Sequence, residues 1–222
     1  MEIKAFIFDL DGVLTDTAEY HYQAWKRLAG RLGMKFDRKE NERLKGVSRM
    51  QSLEIILELN KRQDEFSEEE KARLADEKNE EYVRLIQKVS PDDVLGGVMP
   101  FLREARENGM KLAVASASKN ARTVLGGLNI AWIFDYIADA ARIKNTKPDP
   151  EVFLNCAKHL GVPPGSCIGF EDAQAGIEAI HAAGMFAVGI HVDVTGDAPD
   201  LILSSTEELD YRTVMDAAVR KK

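Results

Sequence analysis

Short apolar runs rich in β-branched and aromatic residues alternate with helical patterns along most of this chain. Each helical pattern has apolar residues three and four positions apart, which is typical of an amphipathic helix. Strands that alternate with helices predict βαβ units, and such units build a parallel sheet covered by helices. The predicted strands lie at residues 5–8, 112–115, 136–138, 168–170, 186–190 and 201–203, and the helices between them at 100–108, 121–128, 150–160 and 173–183.

The region between the first two predicted strands departs from this alternation, because about 90 residues contain helical patterns and no convincing strand. Two helices are predicted there, at residues 51–60 and 68–87. We therefore predict an α/β fold: a Rossmann-like, doubly wound parallel sheet core with an inserted helical cap, or lid, domain. The core domain is expected at residues 1–15 and 91–222, and the cap domain at residues 16–90.

An earlier helix of the insertion is predicted to begin near Asp16, which with Glu19 resembles a capping box. His21 and Trp25 share one face of this helix. A structural role for His21, packed against its neighbours, is as consistent with the sequence as a direct contact with a ligand. Trp25 and Trp132 are predicted to belong to the hydrophobic core.

The composition excludes several classes of protein. A formal net charge of −7 and a sequence pI near 5.3 repel polyanions, so nucleic acid is not an expected partner. We expect no membrane partner and no secretion, because no apolar run could cross a bilayer and the N-terminus lacks a secretory signal. Cys156 and Cys167 are predicted to be buried thiols in a reducing compartment, which indicates a cytoplasmic protein.

Two carboxylates follow the first predicted strand, in the segment KAFIFDLDGVL. Asp9 and Asp11 are separated by one residue, and positions two apart in an extended segment point to the same side. Two acids on one side suggest a site for a cation and a phosphate. Ligands of parallel sheets bind beyond the carboxyl ends of the strands, where Ser116, Glu171 and Asp172 are also expected. The sequence therefore predicts one site at this edge of the sheet.

Four segments form an ordered set that spans the predicted core: FDLDGVLTD at residues 8–16, Ser116, Lys147 in NTKPDP, and GFEDA at residues 169–173. The set resembles the haloacid dehalogenase superfamily of phosphotransferases. Taken singly, each residue has an ordinary alternative, such as a turn cap for Asp9 or Ser116 and a solvated surface side chain for Lys147. All four in order favour the phosphotransferase.

The resemblance implies a role for each of these side chains. Asp9 is expected to be the nucleophile that becomes an aspartyl phosphate, and Asp11 the general acid and then base. Ser116 is expected to hold the transferring phosphate, and Lys147 to neutralise the phosphate and restrain Asp9. The implied cofactor is Mg²⁺. Its expected ligands are Asp9, Asp11 through the backbone carbonyl, Glu171 and Asp172.

The resemblance continues into the predicted cap, through LKGVSR at residues 44–49, and on the core side through SASKN at residues 116–120. These segments are similar to those of sugar-phosphate mutases in the superfamily. They imply interconversion of β-glucose 1-phosphate and glucose 6-phosphate, with β-glucose 1,6-bisphosphate as intermediate and activator. Arg49 is expected to bind the distal phosphate, although this segment could also be a basic turn with Ser48 as N-cap. The predicted substrate-binding residues are Lys45, Gly46, Val47, Ser48, Arg49, Ser52, Ser116, Ala117, Ser118, Lys119, Asn120 and Lys147.

One position departs from the family pattern. The resemblance implies a lysine near the end of the long cap helix, where it couples substrate binding to closure of the lid. Alignment with the family places Asp76 there, and Lys78 two positions away is predicted to lie on a different helical face. This difference bears on the cap and leaves the core chemistry unchanged.

Two other functions are consistent with parts of the pattern. A phosphatase acting on a sugar phosphate or phosphoglycolate would have the same core residues. A phosphate-accepting regulatory module of the receiver type also phosphorylates an aspartate at a strand end, but it needs neither a lid nor Asp11. For oligomeric state, the resemblance favours a monomer with a small-molecule sugar phosphate as its partner.

Overall fold

The computed structural model describes residues 2–44 and 47–220, so Lys45 and Gly46 lie outside the described residues. Within those ranges, six parallel strands form one sheet in the order β3-β2-β1-β4-β5-β6. This is a doubly wound arrangement, and it confirms the predicted α/β fold class. The strands are β1 (Ala5–Phe8), β2 (Lys111–Val114), β3 (Tyr136–Ile137), β4 (Cys167–Glu171), β5 (Phe186–Ile190) and β6 (Leu201–Leu203).

β1 lies between β2 and β4 and is buried on both faces, as expected for a central strand of a parallel sheet. Alternation along the strand sends Phe6 and Phe8 into a hydrophobic cluster on one face, and Ala5 and Ile7 into a second cluster on the other. The ring of Phe8 stacks on that of Phe170 with centroids 4.6 Å apart. This packing holds the carboxyl ends of β1 and β4 side by side.

Helices cover both faces of the sheet and also form the insertion between β1 and β2. Their ends differ from the predicted ones by a few residues, which is the usual uncertainty of helix termini. In the described residues they are α1 (Ala18–Arg31), α2 (Arg38–Asn41), α3 (Arg49–Leu59), α4 (Glu68–Ile86), α5 (Val98–Glu107), α6 (Ala121–Gly127), α7 (Glu151–Leu160), α8 (Gln174–Ala182) and α9 (Tyr211–Arg220).

The inserted helices α1, α3 and α4 pack around a third hydrophobic cluster of their own, which includes Trp25. The predicted capping box at the start of α1 is wrong. Asp16 accepts a hydrogen bond from the Ala18 amide at 2.9 Å, but the Glu19 carboxylate pairs with Arg38 instead of returning to the helix start. Capping boxes do open α3, through Ser48, and α4.

The two chain segments that connect the insertion to the sheet lie next to each other. Thr15 and Val94 form an antiparallel bridge, and the Leu95 amide donates to the Leu14 carbonyl at 3.0 Å. The Thr15 hydroxyl donates to the Asp93 carbonyl at 2.7 Å. These bonds fix both crossings at one point, four residues after Asp11.

Three smaller predictions concern individual side chains and the membrane. The thiols of Cys156 and Cys167 are free and buried, as predicted. Trp132 is 68% exposed, so its assignment to the core was wrong; it lies on a single turn and donates to the Asn129 carbonyl at 2.9 Å. Among the helices of residues 2–44 and 47–220, none has the length and apolar character that a membrane crossing requires.

Candidate active site

The candidate site lies at the carboxyl ends of β1, β2 and β4. The strand order changes direction between β1 and β4, which is where ligands bind in open α/β sheets. Asp9 follows β1, Ser116 follows β2 by two residues, and Glu171 is the last residue of β4. The fold therefore brings together residues that are more than a hundred positions apart in the chain.

Lys147 joins the two carboxylates at the centre of the site. Its Nζ lies 2.5 Å from Asp9 Oδ1 and 2.5 Å from Glu171 Oε1, and its side chain is almost fully buried. Burial alone would lower the pKa of Lys147, but the charges of Asp9 and Glu171 raise it above its ordinary value. Lys147 is therefore a fixed positive charge directly beside the predicted nucleophile.

Both oxygens of Glu171 already accept hydrogen bonds. Oε1 accepts from Lys147, and Oε2 accepts from the amides of Asp172 at 2.9 Å and Ala173 at 3.0 Å. Gly176 makes room for this carboxylate, because a Cβ at position 176 would lie 2.0 Å from Glu171 Oε1. These contacts give Glu171 a positioning role toward Lys147 and the following turn.

Asp11 is held by the start of the insertion. Its Oδ1 accepts from the Thr17 amide at 3.0 Å and from the Thr17 hydroxyl, which lies 2.9 Å from the Tyr82 hydroxyl. Burial, with the nearby charge of Asp9, raises the pKa of Asp11 to about 6, although the bonds from Thr17 oppose the shift. Asp11 can therefore hold a proton near neutral pH, as a general acid must.

The carboxylates of this site suit a hard cation. Asp9 and Asp172 both line the cavity, and Gly12 opposes Asp172 so closely that a Cβ there would lie 2.3 Å from its Oδ2. Within the described residues no group of three or more acidic, His or Cys side chains could hold a metal by itself. Mg²⁺ commonly uses one or two carboxylates and completes its shell with water and substrate phosphate, so the residues fit it.

A cavity of about 990 Å³ lies over these residues and is lined by residues of the sheet domain and of the insertion. It is lined by every described residue that was predicted to bind substrate. From the insertion these are Val47, Ser48, Arg49 and Ser52; from the sheet domain they are Ser116, Ala117, Ser118, Lys119, Asn120 and Lys147.

Arg49 extends from the first turn of α3 into this cavity. Its Nη1 donates to Asp76 Oδ1 at 3.0 Å and its Nη2 to Asn79 Oδ1 at 2.9 Å. Asn79 Oδ1 also accepts from the Asn120 side-chain amide at 2.8 Å, which links the insertion to the sheet domain. Asn79 was not predicted from the sequence, although it follows Asp76 by one helical turn.

Lys78 and Asp76 both line this cavity, but they lie on different faces of α4, as predicted: Lys78 is buried and Asp76 is exposed. The Nζ of Lys78 lies 2.7 Å from His21 Nδ1 and 4.8 Å from the centroid of the Trp25 ring. Burial, with the nearby charge of Arg49, lowers the pKa of Lys78 to about 7. Burial and the charge of Lys78 lower the pKa of His21, which is therefore neutral at pH 7. The cap thus supplies a lysine despite Asp76.

Two further contacts were missed by sequence reasoning. Thr17 and Tyr82 hold Asp11, and the Thr146 hydroxyl donates to Gln51 Oε1 at 2.5 Å between the sheet domain and α3. The position of Thr17 directly after the segment FDLDGVLTD was an available signal. The sequence contained no such signal for Tyr82 or for the Gln51–Thr146 pair, because their partners are distant in the chain.

The chain has clear similarity to known proteins. Residues 3–184 match the family described as haloacid dehalogenase-like hydrolase. The chain is 44% identical over 207 residues to a β-phosphoglucomutase of Bacillus subtilis strain 168, which covers 93% of this chain and 92% of the relative. It is 34% identical over 188 residues to a fructose-1-phosphate phosphatase of Escherichia coli K12, covering 84% and 95%. A crystal structure of β-phosphoglucomutase from Clostridium difficile matches with a TM-score of 0.94 at 48% identity, covering 99% and 98%.

Proposed function

Because this chain belongs to the haloacid dehalogenase-like hydrolase family, we propose that it is a phosphomutase that interconverts β-D-glucose 1-phosphate and D-glucose 6-phosphate. The relatives named β-phosphoglucomutase, at 44% and 48% identity over nearly the whole chain, support this activity. One observation carries the proposal: one cavity is lined by Asp9 and Lys147 of the sheet domain and by Arg49 of the insertion. A sugar with a phosphate at each end matches that arrangement of charge.

The proposed reaction begins on the phosphorylated form of Asp9. The 6-hydroxyl of β-glucose 1-phosphate attacks the phosphorus, Asp11 accepts the hydroxyl proton, and the bond from phosphorus to the Asp9 carboxylate breaks. The product is β-glucose 1,6-bisphosphate. Asp11, whose pKa is raised to about 6, then carries the proton for the next step.

The bisphosphate turns around in the cavity, so that its C1 phosphate faces Asp9. The carboxylate attacks that phosphorus, the bond to the sugar oxygen breaks, and Asp11 returns its proton to this oxygen, which gives glucose 6-phosphate. Lys147 neutralises charge on the phosphate and restrains Asp9, while Ser116 holds the phosphate. Arg49, with Lys119 and Asn120, holds the phosphate that is not reacting.

Mg²⁺ bound by Asp9, Asp172 and the backbone carbonyl of Asp11 would offset the negative charge of the phosphoryl group. In this assignment Glu171 positions Lys147, since both of its oxygens already accept hydrogen bonds. The ordered carboxylates would therefore stay in place before a cation binds.

We further propose that residues 16–90 form the cap domain, that residues 1–15 and 91–222 form the core domain, and that the Thr15–Val94 bridge is the hinge. The insertion lines the same cavity as the predicted nucleophile, which supports this role, because a mutase must keep water from its aspartyl phosphate. We propose a monomeric cytoplasmic enzyme with a small sugar phosphate as its partner. The free buried thiols of Cys156 and Cys167 support the reducing compartment.

A sugar-phosphate phosphatase is the second candidate, because a relative with 34% identity is named fructose-1-phosphate phosphatase. The family match favours both activities over a receiver-like module. A ³¹P NMR time course with β-glucose 1-phosphate, Mg²⁺ and a trace of the bisphosphate distinguishes the mutase from the phosphatase. Glucose 6-phosphate as the main product supports the mutase, whereas free phosphate alone would reject it. Asp9→Asn should abolish either activity.

A further inference from the structure

Arg49 already has an anionic partner in the structure. Asp76, on α4, lies 3.0 Å from Nη1 of the guanidinium, at a surface of the cavity where the proposed function places the phosphate that is not reacting. A phosphate and the Asp76 carboxylate would both seek the same donors of Arg49. The two anions therefore compete for one site.

The two partners of this ion pair differ in freedom to move. The Asp76 side chain is 77% exposed, whereas that of Arg49 is only 20% exposed. Arg49 is also held by Asn79, which is itself bonded to Asn120 of the sheet domain. An incoming anion can therefore displace Asp76 toward solvent while Arg49 keeps its orientation.

The surrounding charges favour such an exchange. Lys78 and His21 lie on the same side of the cavity, and the charge of Arg49 contributes to the lowered pKa of both. A phosphate monoester carries nearly two negative charges at neutral pH, but Asp76 carries one. Replacing Asp76 by a phosphate therefore adds negative charge beside Arg49 and Lys78, whose positive charges repel each other.

We propose that Asp76 is a specificity-determining residue that occupies the phosphate site of Arg49 in the free protein and is displaced by the distal phosphate of the substrate. Ligands with a dianionic phosphate can displace it, and uncharged sugars cannot. Between turnovers Asp76 neutralises the charge of Arg49 and holds its side chain in place. Because Asp76 competes with the phosphate, it lowers the affinity of the protein for the phosphate. The proposal rests on the proposed function, since it assumes that Arg49 binds this phosphate.

The test is equilibrium binding of glucose 6-phosphate to the unphosphorylated protein with Mg²⁺, measured by titration calorimetry without a phosphoryl donor. Asp76→Asn should bind glucose 6-phosphate about two- to fivefold more tightly, because an exposed ion pair of this kind has a modest strength. The gain should shrink at high salt. Affinity for glucose should not change.

Two further variants make the outcomes distinguishable. Glu80→Gln removes one carboxylate from an exposed position of the same helix and should leave affinity unchanged. Arg49→Gln should weaken binding of glucose 6-phosphate. If it does not, Arg49 does not bind this phosphate and the proposed function fails at that point. If Arg49→Gln weakens binding while Asp76→Asn leaves it equal or weaker, only the role of Asp76 is overturned.

Discussion

Gly176 is a position where the site depends on the absence of a side chain. A Cβ there would lie 2.0 Å from Glu171 Oε1, and Glu171 is buried and holds Lys147. Gly176→Ala should displace this carboxylate, destabilise the protein by about 1–3 kcal/mol through overpacking, and reduce kcat by roughly 100-fold. Urea denaturation and the coupled mutase assay measure these effects.

A matched control is available on another helix. A Cβ at Gly126 in α6 would have no other atom within 4 Å, so Gly126→Ala should be neutral or slightly stabilising. Equal stability and activity of the two alanine variants would contradict the steric role of Gly176.

Asp11 should link stability to pH. Its pKa is about 6 in the folded protein against an ordinary value of 3.8, so the folded state binds more protons between these values. The stability that Asp11 contributes is complete below the lower value and is lost as pH rises through the higher one. Asp11→Asn should therefore stabilise the protein by up to about 3 kcal/mol at pH 7.5, and by less than about 1 kcal/mol at pH 4.

Denaturant melts without Mg²⁺ at both pH values measure this difference. The control is Asp64→Asn at an exposed turn of the cap, which should show no such dependence. A gain for Asp11→Asn that is the same at pH 4 and pH 7.5 would rule out the raised pKa.

Single residues differ in how far their roles could be predicted from the sequence. Asp9 and Lys147 belong to ordered motifs, and the structure joins them directly. Tyr82 and Asn79 belong to no motif, because their importance depends on contacts with Thr17 and Asn120 across the cavity. Their side chains could be recognised only after α4 had been placed against the sheet domain.

At the scale of elements, α4 presents three kinds of group to one cavity. Asp76, Lys78 and Asn79 form an acid, a base and an amide that face Arg49 and His21. The helix itself was predicted closely, because its apolar spacing is a local signal. Lys78 is buried and Asp76 is exposed, so these two positions line one wide cavity although they lie on different faces of the helix.

The contact between α3 and the loop before Lys147 should control how well the lid closes. Thr146 donates to Gln51 at 2.5 Å across the two parts of the protein. Thr146→Val keeps the shape and removes this bond, so closure should weaken by about 0.5–1.5 kcal/mol. We expect a two- to tenfold larger ratio of free phosphate to glucose 6-phosphate, measured by ³¹P NMR, since about 1.4 kcal/mol is a factor of ten.

Thr123→Val at an exposed position of α6 provides the control, and it should leave the product ratio unchanged. An unchanged ratio in Thr146→Val would mean that this hydrogen bond does not limit solvent access.

At the scale of the whole molecule, ligand binding should couple the two parts of the protein. The insertion has its own hydrophobic cluster, while the sheet domain has one on each face of the sheet. Glucose 6-phosphate at about 100 times its Kd, with Mg²⁺, should raise the free energy of unfolding by about 2.7 kcal/mol. Hydrogen exchange should slow in α3 and α4 and remain unchanged in α9.

Glucose alone is the matched ligand and should produce neither effect. Slower exchange in α9 equal to that in α4 would indicate general stabilisation instead of closure.

The overall architecture was predictable because alternating strands and helices dictate a parallel sheet. The position of the insertion against the sheet domain was not predictable, since it depends on contacts such as Gln51–Thr146 between residues about a hundred positions apart.

The pairing of Thr15 with Val94 has a consequence for how such proteins diversify. The insertion leaves and re-enters the sheet domain at adjoining points, so its length and sequence can change without moving the strands that carry Asp9 and Glu171. It is in effect an exchangeable cassette. A graft of the corresponding segment from a relative, joined at these same two residues, should transfer the donor's preference for sugar while the recipient keeps its phosphoryl chemistry.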